Sequence, residues 1–586
     1  VVWKNVLTEL GYTREEIDKF VAGPGFQAWW LMSNLEGWGG PNPDWWYVRQ
    51  ENLSKFILGR MRELGMDPVL PGFGGVVPST AKDKLGIDAT DQGHWCSGFR
   101  RPSFLQPTDE RYAEIAQIYY KHLEKVMGKS KYYSMDPFHE GGRTEGINLK
   151  EAFTTIYNEM QKHSPGSTWV IQAWDRNPRK EALDTIPKGG FIVLDLYGEG
   201  ICKWENNGFH GHDFLWCMLH NFGGRSGLHG RLETTMDGYF QALAKNNNCQ
   251  GIGATPEGTE TNPILYDMLF ELPWMNSNPG ADAWLEEYAY SRYGINPAEQ
   301  GNANALEALK NLKKSVWDCK VNQQGTSEAV ILARPNWTIN SVSSWSTSAI
   351  YWDTQDVLLA ADQLYSVKDL VTANGGQDGI ANYNYDFIDV VRQAMVDYAA
   401  QLLPLINAAR NDDAEYTRLY QLYLQLMLDL DEMLSYDENF KLERWTSLAR
   451  NIANEVSGTT ENDRRWLEWN ARTQVTVWSK GNTDLHDYSN RCWAGLIKDF
   501  HYKRWEKFFT TKGGSFDGGW FGGFEYPWTV DFTNYNYSTV TIPNDMTATE
   551  KAAETFGNYF GRIKGATKNY IFPMGVATKV TKSDVI

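Results

Sequence analysis

Short apolar runs alternate with amphipathic stretches through the first half of the chain. Residues 68–73 (PVLPGF), 132–136 (YYSMD), 169–174 (WVIQAW), 191–197 (FIVLDLY), 214–219 (FLWCML) and 251–255 (GIGAT) are mostly near-continuous in apolar character. Parallel strands covered on both faces read this way. Residues 109–127 and 149–163 carry apolar side chains at helical spacing between them. Such alternation predicts an α/β sheet or barrel. No GxGxxG follows the first run and no P-loop lysine motif occurs, so a nucleotide-binding Rossmann domain is unsupported. A (β/α)8 barrel fits better, although only six strands are counted here. The chain also opens inside an amphipathic helix, and the expectation is that two strands lie upstream of Val1 or escape this pattern.

The period changes near residue 276. Residues 281–293, 303–316, 385–409, 412–434, 442–456, 463–478, 488–509 and 548–560 all carry helical apolar stripes. The expected organisation is therefore a catalytic (β/α)8-type barrel, N-terminally incomplete, over 1–275, and an all-α domain over 276–586 that contributes to the active-site wall. The glycine- and aromatic-rich stretch 513–528 (GGSFDGGWFGGFEYPW) interrupts the helices and reads as an ordered surface loop, with a substrate lid as the alternative.

Composition narrows the chemistry. The 586 residues carry 56 Lys plus Arg against 73 Asp plus Glu, a net charge of −17. That balance disfavours nucleic acid or an anionic membrane surface as partner. No apolar run reaches the roughly 18 residues that a membrane-spanning helix needs. The aromatic content is unusual, with 25 Trp, 30 Tyr and 26 Phe. Indole rings stack on the C–H faces of sugars, although large helical domains also use Trp as core filler. The six cysteines form no CxxC and no zinc spacing, and Cys217 and Cys249 read as buried thiols. Sequons at Asn52, Asn336 and Asn536 are weak evidence for secretion.

In a barrel, reacting groups come from the carboxyl ends of strands and the loops after them. The tract after 132–136 is Pro137-Phe138-His139-Glu140-Gly141-Gly142, and the tract after 251–255 is Pro256-Glu257-Gly258. Trp174 ends the 169–174 run, while His220-Asn221-Phe222-Gly223-Gly224 follows 214–219. Two carboxylates from different strand ends, Glu140 and Glu257, are what glycoside hydrolysis requires: one protonates the leaving oxygen and the other attacks or stabilises the anomeric carbon. Each residue has a plainer reading as well. Glu257 could be a solvated loop acid, His139 and Glu140 a helix cap, His220–Gly224 a tight turn, and Trp174 barrel filler.

These same tracts make the sequence resemble the α-N-acetylglucosaminidase family, which includes the lysosomal enzyme acting on heparan sulfate and bacterial secreted relatives. The matching stretches are GPGFQAWW (23–30), MSNLEGWGGP (32–41), GMDPVLPGFGGVVP (65–78), DPFHE (136–140), QAW (172–174), VLDLY (193–197), WCMLHNFGG (216–224) and GATPEG (253–258). NARTQVTVW (470–478) and DYSNRCWAGL (487–496) extend the match into the helical half. The resemblance implies a barrel followed by a helical domain, and a retaining exo-hydrolase that releases terminal α-linked N-acetylglucosamine without a cofactor or metal. It implies Glu140 as general acid/base and Glu257 as nucleophile. Trp29, Asn34, Trp38, His139, Trp174, His220, Asn221, Tyr488 and Trp493 lie in the family's tracts and are implied to line the sugar pocket.

Two departures stand out. His139 occupies the place where the lysosomal enzyme has Asn before the acid/base. The family's early tract with an Asn-x-Cys pair has no counterpart in this sequence, in keeping with the count of six strands. In the α-linked sugar the 2-acetamido group lies cis to the leaving group, so substrate assistance from behind is blocked and retention needs an enzyme nucleophile. The resemblance also implies a glycan as the partner, and an extracellular or periplasmic location in a bacterium or a lysosomal one in a eukaryote. Homo-oligomerisation stays open. A non-catalytic glycan-binding protein is the alternative from another class.

Overall fold

All six apolar runs of the first half are strands: β1 (Val69–Pro71), β2 (Tyr132–Ser134), β3 (Thr168–Gln172), β4 (Phe191–Asp195), β5 (Asp213–Met218) and β6 (Cys249–Ala254). They form one sheet in the order β1-β2-β3-β4-β5-β6, and every neighbouring pair is parallel. Sequential parallel order places helices between consecutive strands, among them Tyr112–Met127, Leu149–His163 and Lys180–Thr185. This is the arrangement of a TIM-type α/β domain. The computed structural model describes residues 1–567 except 97, 259, 297, 300, 321–328, 344–348, 481–484, 514–517 and 534–545.

The chain divides into two units. The first comprises Val1–Met218, Gln241–Thr255 and Arg450–Asn470, and so holds the whole parallel sheet. Alternate apolar side chains of its strands are buried: Leu70, Tyr133, Trp169, Ile171, Phe191, Val193, Phe214 and Trp216 are all at most 2% exposed. The Trp169 indole finds its partner in the carbonyl of Met135, 2.8 Å away. Between β1 and β2 the chain adds small antiparallel pieces. Val76–Val77, Ser103–Leu105 and Ala89–Thr90 form a three-stranded sheet, and His94–Trp95 pairs with Phe99–Arg100. At two or three residues each, these pieces carry no readable period in the sequence.

The second unit comprises Leu219–Phe240, Pro256–Ala449 and Ala471–Ile586, and its regular structure is helical. Ala281–Tyr293, Ala303–Lys314, Asp413–Leu434 and Ala548–Thr567 follow the apolar stripes read from the sequence. Three segments differ from the sequence reading. Thr354–Asn374 is a helix that was not foreseen, and the next helix begins at Gly376 and runs to Ala408. The stretch 513–528, read as a loop, instead enters the helix Gly518–Val530, which runs past its end; residues 514–517 lie outside the described residues. The stretch 488–509, read as one helix, becomes regular only from a π-helical turn at Ile497–His501 into Tyr502–Thr510. Its first residues instead form an irregular segment around Tyr488, anchored by buried charge. The Arg504 guanidinium donates to Asp487 Oδ2 at 2.9 Å and to Glu525 Oε1 at 2.9 Å, and all three side chains are almost wholly enclosed.

All six cysteines are unbridged, with Cys217 and Cys249 buried as expected. Asn52 and Asn336 are exposed, while Asn536 lies outside the described residues. Among the described residues no helix is long and apolar enough to cross a membrane, and no group of three or more His, Cys, Asp and Glu side chains is placed to hold a metal ion.

Candidate active site

In the first unit the geometry converges on Glu140. It lies in the loop after β2, within a short 3₁₀ turn (His139–Gly141), where its own backbone is left-handed at φ 42° and ψ 61°. Phe138 is left-handed too, at φ 59°. Such a backbone in a residue with a Cβ costs about 1–3 kcal/mol and persists only where its surroundings impose it. Its effect is to present the carboxylate to donors from three separate segments. Asn34 Nδ2 donates to Oε2 at 2.6 Å, Trp95 Nε1 donates to Oε2 at 2.9 Å, and Trp174 Nε1 donates to Oε1 at 2.7 Å.

Each donor is delivered by a local device. Trp174 follows β3 by two residues, and the next residue, Asp175, accepts the Gly141 N–H at 3.1 Å. Asn34 lies just past the short helix Gln27–Leu31, and its own N–H is held by the carbonyl of Trp29 at 2.9 Å. Trp95 comes from the two-stranded piece His94–Trp95/Phe99–Arg100. Trp38 packs edge-on to Phe99 at 5.2 Å, and Phe99 in turn lies against Trp95 at 6.3 Å. His139 is 2% exposed, and it contributes a positive field at the Asp136 carboxyl. Burial pushes that carboxyl above its ordinary range, while His139 and two hydrogen bonds from Gln172 oppose the push.

A second carboxylate is organised in the other unit. Glu257 is exposed and follows Pro256. Its Oε2 accepts the Tyr488 hydroxyl at 2.6 Å and the Gly223 N–H at 2.7 Å. The segments carrying these donors meet closely. A Cβ on Gly223 would lie 2.7 Å from the Tyr488 carbonyl oxygen, and one on Gly224 would lie 2.3 Å from Arg491 Nη2. Both glycines have φ above +60°, so both the conformation and the space exclude a side chain. Arg225 Nε donates to the Tyr488 carbonyl at 3.0 Å, with its guanidinium 5.2 Å from the Tyr488 ring centre.

The other candidates fall in varied settings. Trp29 is half-buried in its short helix. His220 is 2% exposed, and its Nε2 pairs with Asn262 Nδ2 at 3.1 Å. Burial, helped by Arg231, pushes its pKa down to about 3, so its ring is neutral. Asn221 is fully buried and donates to the Thr261 hydroxyl. Trp493 is buried with its ring 5.0 Å from the Arg491 guanidinium. Two residues at the carboxylates were not singled out from the sequence: Trp95 and Gly223. Trp95 sits in a strand of two residues, and nothing in sequence spacing links it to Glu140. Gly223 acts through a main-chain N–H, a group every non-proline residue has.

The family profile described as the alpha-N-acetylglucosaminidase (NAGLU) TIM-barrel domain matches residues 1–276, and the NAGLU C-terminal domain matches residues 284–547. Human alpha-N-acetylglucosaminidase is 31% identical over 531 residues, covering 86% of this chain and 68% of the human protein. A family 89 glycoside hydrolase from Clostridium perfringens in complex with PUGNAc superposes with a TM-score of 0.87 at 31% identity, covering 95% of this chain and 64% of that one. A further structure from the same organism carries two glutamate-to-glutamine replacements and is in complex with its substrate, GlcNAc-alpha-1,4-galactose. It matches at 30% identity and a TM-score of 0.87, covering 96% of this chain and 65% of that one. The chain thus spans about two thirds of the length of these relatives.

Proposed function

Since the chain belongs to the α-N-acetylglucosaminidase family, we propose that it is a retaining exo-glycoside hydrolase that removes terminal α-linked N-acetylglucosamine from a glycan. The supporting observation is the Glu140 carboxylate, gripped by three N–H donors on a left-handed backbone. Donors on both oxygens hold the carboxylate in one orientation, as an acid/base acting on a single glycosidic oxygen requires.

Glu140 is the general acid/base. Its Oε2 accepts two N–H groups and its Oε1 one. The transferable proton therefore belongs on Oε1, since a hydroxyl oxygen still accepts the single Trp174 hydrogen bond while Oε2 stays a pure acceptor. Glu257 is the nucleophile, with its Oε2 fixed by Tyr488 and Gly223. In the first step a Glu257 oxygen bonds to C1 as the C1–O bond to the aglycone breaks, and Glu140 gives its proton to the departing oxygen. In the second step Glu140 takes a proton from water, the water oxygen bonds to C1, and Glu257 leaves as the carboxylate. The α configuration is restored. Retention of this kind asks for carboxyl groups about 5–5.5 Å apart. The substrate class follows the resemblance, as does an extracytoplasmic compartment.

Hydrolysis of aryl α-N-acetylglucosaminides tests the reading. Glu257→Ala should abolish turnover on activated and natural substrates alike. Glu140→Ala should lose about 10²–10⁴-fold in kcat/KM on an unactivated disaccharide and much less on a dinitrophenyl glycoside, whose leaving group needs no proton. Proton NMR should show the α-anomer as the first product. A β-anomer first would overturn retention, and binding without turnover would make the protein a glycan-binding module.

A further inference from the structure

Arg101 is 3% exposed, and among the described residues its guanidinium donates to main-chain carbonyls rather than to a carboxylate. Nη1 donates to the His139 carbonyl at 3.0 Å and to the Ser33 carbonyl at 3.4 Å, and Nη2 donates to the Glu140 carbonyl. Enclosing a guanidinium is costly, and burial lowers its pKa while the negative fields of Glu140, Cys96 and Asp175 oppose the shift. What it joins explains its place. Ser33 and Glu140 are both left-handed, at φ 66° and 42°. One turn carries Asn34, the other the carboxylate that Asn34 touches. Arg101 also directly follows the strand Phe99–Arg100, whose partner strand carries Trp95. A single cation thus ties together the segments that supply Glu140 and two of its three donors.

We propose that Arg101 is a positioning residue for proton transfer: its planar fork fixes the main chain of Glu140 against the Asn34 turn, so that the carboxyl faces the departing oxygen in one orientation. Lysine offers a point charge on a flexible stem and cannot bridge successive carbonyls in a plane. The proposal rests on the acid/base reading of Glu140, and the two are tested side by side.

Arg101→Met, Arg101→Lys and Glu140→Gln are compared with the parent on α-N-acetylglucosaminides of graded leaving group, from dinitrophenyl through phenyl to an unactivated disaccharide, with the melting temperature of each protein recorded. Arg101→Met should lose about 10²-fold in kcat/KM on the phenyl glycoside and disaccharide, with kcat/KM on the dinitrophenyl substrate barely affected. Arg101→Lys, which keeps the charge on an aliphatic stem of similar length, should fold and show the same leaving-group dependence. An equal loss across all leaving groups would make Arg101 purely structural and overturn the proposal. So would full activity of Arg101→Lys, because the fork would then be unnecessary. Should Arg101→Met fail to fold, the lysine variant alone carries the decision. If Glu140→Gln itself shows no leaving-group dependence, the acid/base reading fails. If it shows the dependence and the arginine variants do not, only the Arg101 inference fails.

Discussion

The hydrogen bond from the Tyr488 hydroxyl to Glu257 Oε2, at 2.6 Å, is a short contact between a phenol and a carboxylate. Bonds to a charged acceptor contribute about 1.5–3 kcal/mol, and this one holds the carboxylate proposed to attack C1. The Tyr488 ring has its own anchors, the Arg225 guanidinium at 5.2 Å and the Trp478 ring at 6.1 Å, edge-on. Tyr488→Phe should therefore leave the ring in place and the melting temperature nearly unchanged, while kcat falls about 10- to 100-fold. Steady-state kinetics with a dinitrophenyl substrate reads this loss, since no acid help is needed there. An unchanged kcat would remove Tyr488 from the proposed machinery.

Loops rather than regular elements set the carboxylates, and their glycines make the loops possible. Gly223 sits at φ +63° with the Tyr488 carbonyl where a Cβ would go. Gly223→Ala should cost about 1–3 kcal/mol in stability, seen as a lowered melting temperature. It should also reduce activity, because the Gly223 N–H to Glu257 moves with the turn. A stable, fully active alanine variant would show that the turn tolerates another geometry. The same contrast between elements and loops explains what the sequence revealed. The strands β1 to β6 were legible because buried parallel strands read as apolar runs, and Glu140, Trp174 and Glu257 were legible because they follow such runs. The resemblance pointed to Asn34 and Tyr488. Trp95 and Arg101 were hidden, because strands of two residues have no period and their partners lie about 40 residues further along the chain. The high tryptophan content pointed at sugars, yet Trp169, Trp216, Trp478, Trp505 and Trp528 are fully buried core residues. The segment after residue 487 kept a helical stripe in sequence but yielded to the buried Asp487–Arg504 pair, where, against burial, the guanidinium holds the Asp487 carboxyl below its usual range.

Across the whole chain, buried ionisable groups of two kinds set opposing slopes of stability with pH. Burial pushes the Glu36 carboxyl from 4.5 up to about 7, and the Asp195, Asp397 and Asp431 carboxyls up to about 6. In that window the folded chain binds more protons than the unfolded one, so these groups favour the fold at low pH and their contribution is lost as pH rises through it. Burial pushes His220 and His501 from 6.5 down to about 3. There the unfolded chain binds more protons, so these groups favour the fold above about 6.5 and lose that contribution as pH falls. Between about pH 5 and 6.5 the two slopes oppose each other, and the melting temperature should vary little. Below about 3.8 the unfolded carboxyls become protonated as well and their slope fades, while the histidines continue to destabilise down to about pH 3, so the melting temperature should fall over that range. Glu36 isolates one side of the balance. Its Oε2 accepts the Ser79 N–H at 3.1 Å and its Oε1 the Ser79 hydroxyl; a glutamine can accept the first through its carbonyl oxygen and donate its NH2 to the hydroxyl oxygen, without charge. Glu36→Gln should therefore raise the melting temperature at pH 8, where the parent must hold a buried anion at a cost of at most about 3 kcal/mol. At pH 4 the parent carboxyl is already neutral, so the two proteins should melt together. A gain of equal size at both pH values would mean that packing, not the buried charge, separates them.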